Sequence, residues 1–348
     1  MTRAHHLAPS LLDRAPARRR VPGWGRAHQA DGATRRRFLV RILEATALAV
    51  GVGRTAASPP SPQARLTVID THTHFYDPTR PQGVPWPPPN DPGLYRRVLP
   101  ADYRALPVPS PVTGTVVVEA SPWLEDNQWV LDLAARESFI VGFVGNLPVG
   151  RPGFAGSLKR FAAQPLFRGI RLRDRKLEGA LEDPAFAGDL KRLADLGLSL
   201  DLVGGQEILP FAAALAHRLP GLRLILDHLA GVTVDGKPPP ASWIDQMRLL
   251  ARQPQVYCKL SGLVEGTGRT NGSAPHDVAF YRPVLDAMVT TFGLERLLYA
   301  SNWPVSERFA PLGTVQGIIE DYFHDQGTQA LAQVFGGNAR TAYRLSRS

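Results

Sequence analysis

Three histidines stand where a folded chain can bring them together over one reacting atom. His72 and His74 lie two residues apart in Val68-Ile69-Asp70-Thr71-His72-Thr73-His74-Phe75, and His228 closes the run Leu222-Arg223-Leu224-Ile225-Leu226-Asp227-His228. Imidazole can hold a metal ion, donate to a carbonyl oxygen or carry a proton near neutral pH. Other polar groups occupy the same kind of position, at the end of an apolar run. They are Glu119, Arg171 and Arg173, Lys259 with Ser261, and Asn302 followed by Trp303. Such types suit attack on an activated carbonyl: imidazoles meet the charge that develops on oxygen, and an arginine pair grips a planar carboxylate. Strict alternation along a strand places Asp70, His72 and His74 on one face. The same rule sends the neighbours Asp227 and His228 to opposite faces, so Asp227 is expected outside the site of His228.

These residues need a scaffold that collects strand ends. From residue 66 the chain alternates short β-branched or apolar runs with amphipathic segments. Strands are predicted over 68–74, 115–119, 139–144, 167–172, 198–203, 222–228, 256–260 and 297–302, with helices between them. Asp183 and Gly197 bracket one of those helices as a start and a stop. Eight strand–helix units in one chain call for a (β/α)8 barrel, whose chemistry sits at the C-terminal ends of the strands. A doubly wound open sheet is the alternative, but no glycine-rich turn follows the first strand. Residues 76–112 form a long connection with many prolines and with Trp86, and are expected to fold over the end of the first strand.

The net charge of +9 belongs to one end of the chain. Residues 1–65 contain twelve arginines, no lysine and three acids, which leaves 28 basic and 28 acidic residues in 66–348. The body therefore gives no electrostatic reason to bind nucleic acid. Thr34-Arg35-Arg36-Arg37-Phe38-Leu39, a weakly apolar stretch and then small residues resemble a twin-arginine export signal. Residues 1–65 are thus read as a leader and 66–348 as the barrel. The expected address is the periplasm or the exterior, reached through the twin-arginine machinery, with a cytoplasmic protein as the alternative. The apolar stretch is too short for stable membrane insertion. A single cysteine, Cys258, excludes an internal disulfide.

Five stretches, taken in order, resemble the amidohydrolase superfamily and its lactonase branch. They are Ile69-Asp70-Thr71-His72-Thr73-His74, Phe167-Arg168-Gly169-Ile170-Arg171, Leu226-Asp227-His228-Leu229, Cys258-Lys259-Leu260-Ser261-Gly262-Leu263 and Tyr299-Ala300-Ser301-Asn302-Trp303-Pro304-Val305. The resemblance implies a TIM barrel of the amidohydrolase type and hydrolysis of a lactone of a sugar acid or similar small acid. It implies His72, His74, His228 and Asn302 as catalytic positions. Arg171, Arg173, Lys259, Trp303 and Glu119 become candidate substrate contacts. It also implies either one divalent metal, zinc, on His72, His74 and His228, or none. The superfamily places an aspartate base where this chain has Asn302, and an amide cannot accept a proton at a useful pH. The fifth strand also lacks the histidine of binuclear members, which argues against a two-metal centre. A metal-dependent non-oxidative decarboxylase and a retired, ligand-binding barrel are the alternatives.

Overall fold

The computed structural model describes residues 66–173 and 177–346; the twin-arginine stretch and the rest of the leader lie outside them. Eight parallel strands succeed one another around the sheet in chain order. They are β1 (Ile69–Thr73), β2 (Gly114–Val118), β3 (Ile140–Gly145), β4 (Phe167–Leu172), β5 (Ser199–Leu202), β6 (Arg223–Leu226), β7 (Val256–Lys259) and β8 (Leu297–Leu298). The ring closes where the Thr71 amide donates to the Tyr299 carbonyl at 3.0 Å and Thr73 pairs with Trp303. The barrel expected from the alternation of strands and helices is the one observed.

Two apolar layers build it. Inside, Ile69, Val116, Val118, Val144, Ile225, Tyr257 and Leu298 pack with Ala339, Ala342 and Tyr343 from the end of the chain. Outside, the helices cover the other strand faces. One of them, Pro184–Asp195, begins at Asp183, whose carboxylate accepts from the Ala185 amide at 2.9 Å, and stops before the left-handed Gly197. Among the described residues no helix is long and apolar enough to cross a membrane.

Two departures from regular strand geometry shape the site. In β1, Asp70 to Thr73 advances three residues while its partner β2 advances two, from Thr115 to Val117. That extra residue is a bulge, and a bulge reverses the face taken by the residues beyond it. The Asp70 carboxylate accepts from Tyr103 on the short helix α1 (Pro100–Arg104), from the His72 amide and from the Ser301 amide, at 2.8, 3.0 and 2.9 Å. Asp70 thus pins β1 to the end of β8 on the outer side, and does not share the face of His72 and His74 as alternation predicts. The last strand is shorter than 297–302: it ends at Leu298, and Asn302 beyond it sits at φ +58°, outside strand geometry. The connection after β1 does fold back: Tyr76 bridges to Val98, Arg80 pairs with Asp126 at 3.0 Å, and the Trp86 ring lies 5.7 Å from that of His74.

Candidate active site

The three histidines meet at the mouth of the barrel. The ring of His72 lies 4.9 Å from that of His74 and 4.5 Å from that of His228. His228 comes in because the chain breaks its strand geometry after Leu226: His228, Leu229 and Ala230 all take positive φ. Asp227 and His228 are therefore not sent to opposite faces. His72, Asp227 and His228 present ligand atoms within 4.8 Å of one another, which corrects the expectation drawn from alternation.

Each imidazole has its inner nitrogen occupied, and the partner fixes the tautomer where it can only give or only take. His74 Nδ1 faces the Val118 carbonyl at 2.9 Å, so it carries the proton and Nε2 keeps a lone pair. His72 Nδ1 is 3.1 Å from Lys259 Nζ, and an ammonium has only donors. Asp227 Oδ1 lies farther from the same nitrogen, at 3.4 Å; with Nδ1 accepting from the nearer Lys259, a neutral His72 carries its proton on Nε2, a buried atom with no partner in the protein. His228 Nδ1 bonds Ser261 Oγ at 2.8 Å. All three rings are held neutral. Burial, with Lys259 adding to it, keeps His72 well below the usual histidine range. Burial, with Arg171 adding to it, does the same for His74. Burial with Arg171 and Lys259 outweighs Asp227 and brings His228 down to about 4.

Beneath the rings is a sealed charge network. Lys259 Nζ lies 2.6 Å from Asp201 Oδ2 and 2.9 Å from Asp227 Oδ1, and the Tyr343 hydroxyl donates to Asp201 at 2.8 Å. Burial pushes Asp227 up, but Lys259 and His72 outweigh it and hold its carboxyl well below the carboxylate range. Burial prevails at Asp201, which rises to about 6. Lys259 is fully buried with its donors committed, so it is not the substrate contact that its strand-end position suggested. Trp303 is also misread from sequence. Its ring packs beside Phe75 and Tyr103, its Nε1 donates to Glu307 at 2.7 Å, and it is 1% exposed.

Beside His74 stand two arginines on one acid. Arg171 Nε donates to Glu119 Oε1 at 2.8 Å, and Arg173 Nε reaches the same oxygen at 2.6 Å. Glu119 is thereby committed to orienting the guanidinium groups. Arg171 is buried, whereas the Arg173 side chain is 39% exposed at the mouth. Asn302 lies at the opposite side of the rim, where its amide donates to Glu265 at 2.8 Å. Trp86, Asp201, Tyr343 and Glu265 are the members that strand-end reasoning missed. Asp201 had a signal, a lone acid inside the apolar run Leu198-Ser199-Leu200-Asp201-Leu202-Val203.

A model of the amidohydrolase family matches residues 69–345. The chain belongs to that family. An L-fucono-1,5-lactonase of Burkholderia ambifaria is 36% identical over 293 residues, a match that spans 80% of this chain and 96% of that one. A second L-fucono-1,5-lactonase, from Burkholderia multivorans, is 28% identical across 80% of this chain and 96% of its own length. Among solved structures, a Burkholderia multivorans amidohydrolase with bound zinc superposes with a TM-score of 0.71 at 26% identity, covering 80% of this chain and all of that one.

Among the described residues, one cluster has the residue types and spacing to hold a metal ion: His72, Asp227 and His228. His74, expected as the third ligand, is not part of it. The fit fails on charge. The Lys259 ammonium already lies against Asp227 Oδ1 and His72 Nδ1, so a cation there would stand beside a positive charge that holds two of the three donors.

Proposed function

We propose that this protein opens the ring ester of a sugar-acid lactone by adding water, without a resident metal. The observation that carries the reading is His72: a neutral imidazole whose buried Nε2–H has no protein partner, set against two further neutral imidazoles. Such a donor is preorganised for the oxygen of an attacked carbonyl, and needs no proton of its own to move. The Lys259 ammonium behind it strengthens that donor by holding Nδ1 in the acceptor role. The His74 Nε2 lone pair can accept a substrate hydroxyl. Arg173, steered by Glu119, offers its outer N–H groups to a carboxylate or to hydroxyls. The family relatives named L-fucono-1,5-lactonase support a six-membered lactone of a deoxy-sugar acid as the first substrate to try.

A pH-stat assay with L-fucono-1,5-lactone and a panel of aldonolactones tests this. Stoichiometric acid release above the spontaneous rate is the expected result. Binding without turnover of any lactone would favour a retired barrel, and carbon dioxide release from an aromatic acid would favour the decarboxylase. The decarboxylase is the weaker reading, because it wants a metal and a carboxylate at position 302.

We also propose that the leader directs export. Arg35→Lys with Arg36→Lys should then leave the protein in the cytoplasm, since the guanidinium pair is what the export receptor reads. Normal arrival in a periplasmic fraction would overturn this.

A further inference from the structure

A hydrolase needs a group to take a proton from water, and the carboxylates packed around the histidines and arginines are each held by a cation or by several donors, with Lys259 and His72 keeping Asp227 too weak a base for the task. Asp70 accepts three hydrogen bonds, Asp201 and Asp227 share Lys259, and Glu119 holds two arginines. Glu265 is different. It is half-buried in the turn after β7, takes part in no ion pair among the described residues, and accepts one side-chain hydrogen bond, from the Asn302 amide. An acid withdrawn from water with no cation beside it is costly to keep for structure alone.

The chain puts this carboxylate at the site. Ser261 bonds His228, and Gly262, at φ +84°, lies flat against it: a Cβ there would come within 2.8 Å of the His228 Cβ. Three residues later Glu265 meets Asn302. The segment from Ser261 to Glu265 therefore runs along the rim from the end of β6 to the end of β8.

Resting on the lactonase reading, we propose that Glu265 is the general base and that Asn302 positions it. Glu265 takes a proton from water as the water oxygen bonds to the lactone carbonyl carbon, and the carbonyl π pair moves onto oxygen beside His72. The intermediate then collapses, the bond from that carbon to the ring oxygen breaks, and the ring oxygen receives the proton from Glu265. Water and lactone become a hydroxy acid, which ionises in solvent. The pairing also accounts for the amide at 302. An aspartate there would face Glu265 with like charge, whereas an amide N–H can hold it.

Burial pushes the Glu265 carboxyl up to about 7, with the Asn302 bond opposing. Asp201 in the floor, raised to about 6, titrates close to this range, and survival of the limb in Glu265→Gln tells the two carboxyls apart. The Tyr281 phenol on the next helix is raised by burial and stays neutral, as does His228. A carboxylate accepts a proton only when ionised, so kcat/KM, which reports the free enzyme, should rise with pH through a midpoint near 7 and level off above it. The test measures pH profiles of kcat and KM on L-fucono-1,5-lactone for the natural protein, Glu265→Gln, Glu265→Asp and Asn302→Ala. Glutamine keeps an oxygen for the Asn302 amide, so the fold is preserved, and melting temperature checks this. The expected loss of kcat in Glu265→Gln is about 10²- to 10⁴-fold with KM nearly unchanged and the rising limb gone. Glu265→Asp should restore part of the rate together with a rising limb, and Asn302→Ala should lose less than Glu265→Gln. A Glu265→Gln variant with natural kcat, or one that keeps the limb, overturns the assignment while leaving the lactonase intact. A natural protein that opens no lactone overturns both.

Discussion

The floor and the rim of this site treat charge in opposite ways. In the floor, Lys259, Asp201, Asp227 and Tyr343 are sealed from solvent, with the Lys259 ammonium between the two carboxylates and contacts of 2.6 to 2.9 Å. At the rim, Glu265 has a single amide for company and Arg173 keeps part of its guanidinium in water. A paired, buried ion cannot change its charge during a reaction without breaking its partners, so the floor can only hold and polarise. The rim is where a proton or a substrate charge can be exchanged. Proximity to the histidines alone does not separate the two roles; the partners of each charge do.

The largest effect expected from breaking this contrast lies in the floor. Lys259→Met leaves two carboxylates buried without a cation, and should cost about 3–5 kcal/mol of stability by chemical denaturation. A variant as stable as the natural protein would mean that the network is not a structural unit. Next comes the contact between floor and substrate. His72→Ala should lower kcat by about 10²- to 10³-fold with the fold intact by circular dichroism, the cost of one oxyanion donor. At the rim, Arg173→Ala should raise KM about tenfold with kcat little changed, as for the loss of one charge-assisted hydrogen bond of about 1.5 kcal/mol. A fall in kcat instead would move Arg173 into the chemistry. The smallest expected effect is no change. Extended dialysis against a chelator should leave the lactone rate as it was, and added zinc should not raise it, because Lys259 already lies against two of the three donors. Metal-restored activity would refute that account.

The barrel was legible in the sequence because its signals are local. Apolar runs, the Asp183 start and the Gly197 stop each depend on a few neighbouring residues. The strand-end histidines were legible for the same reason. What failed was geometry that two strands decide jointly. The bulge in β1 exists only as a mismatch of register with β2, and it moved Asp70 to the outer face. The break after Leu226 turned His228 to the side of Asp227 by three consecutive left-handed residues, none of them glycine, which no local propensity announces. Lys259 and Trp303 were placed correctly along their strands and wrongly in role, since burial and partnership are tertiary properties. Glu265 lies beyond its strand in a turn, and only the hydrogen bond from Asn302 distinguishes it from a solvated acid.

The Tyr343 hydroxyl that completes the shell of Asp201 comes from a residue 142 positions later in the chain. A chain that emerges from the ribosome in order exposes Asp201 first, then Lys259, and only near its end the tyrosine that satisfies them. Residues far apart in sequence thus complete one floor, and a chain cut before Tyr343 would leave Asp201 without this donor.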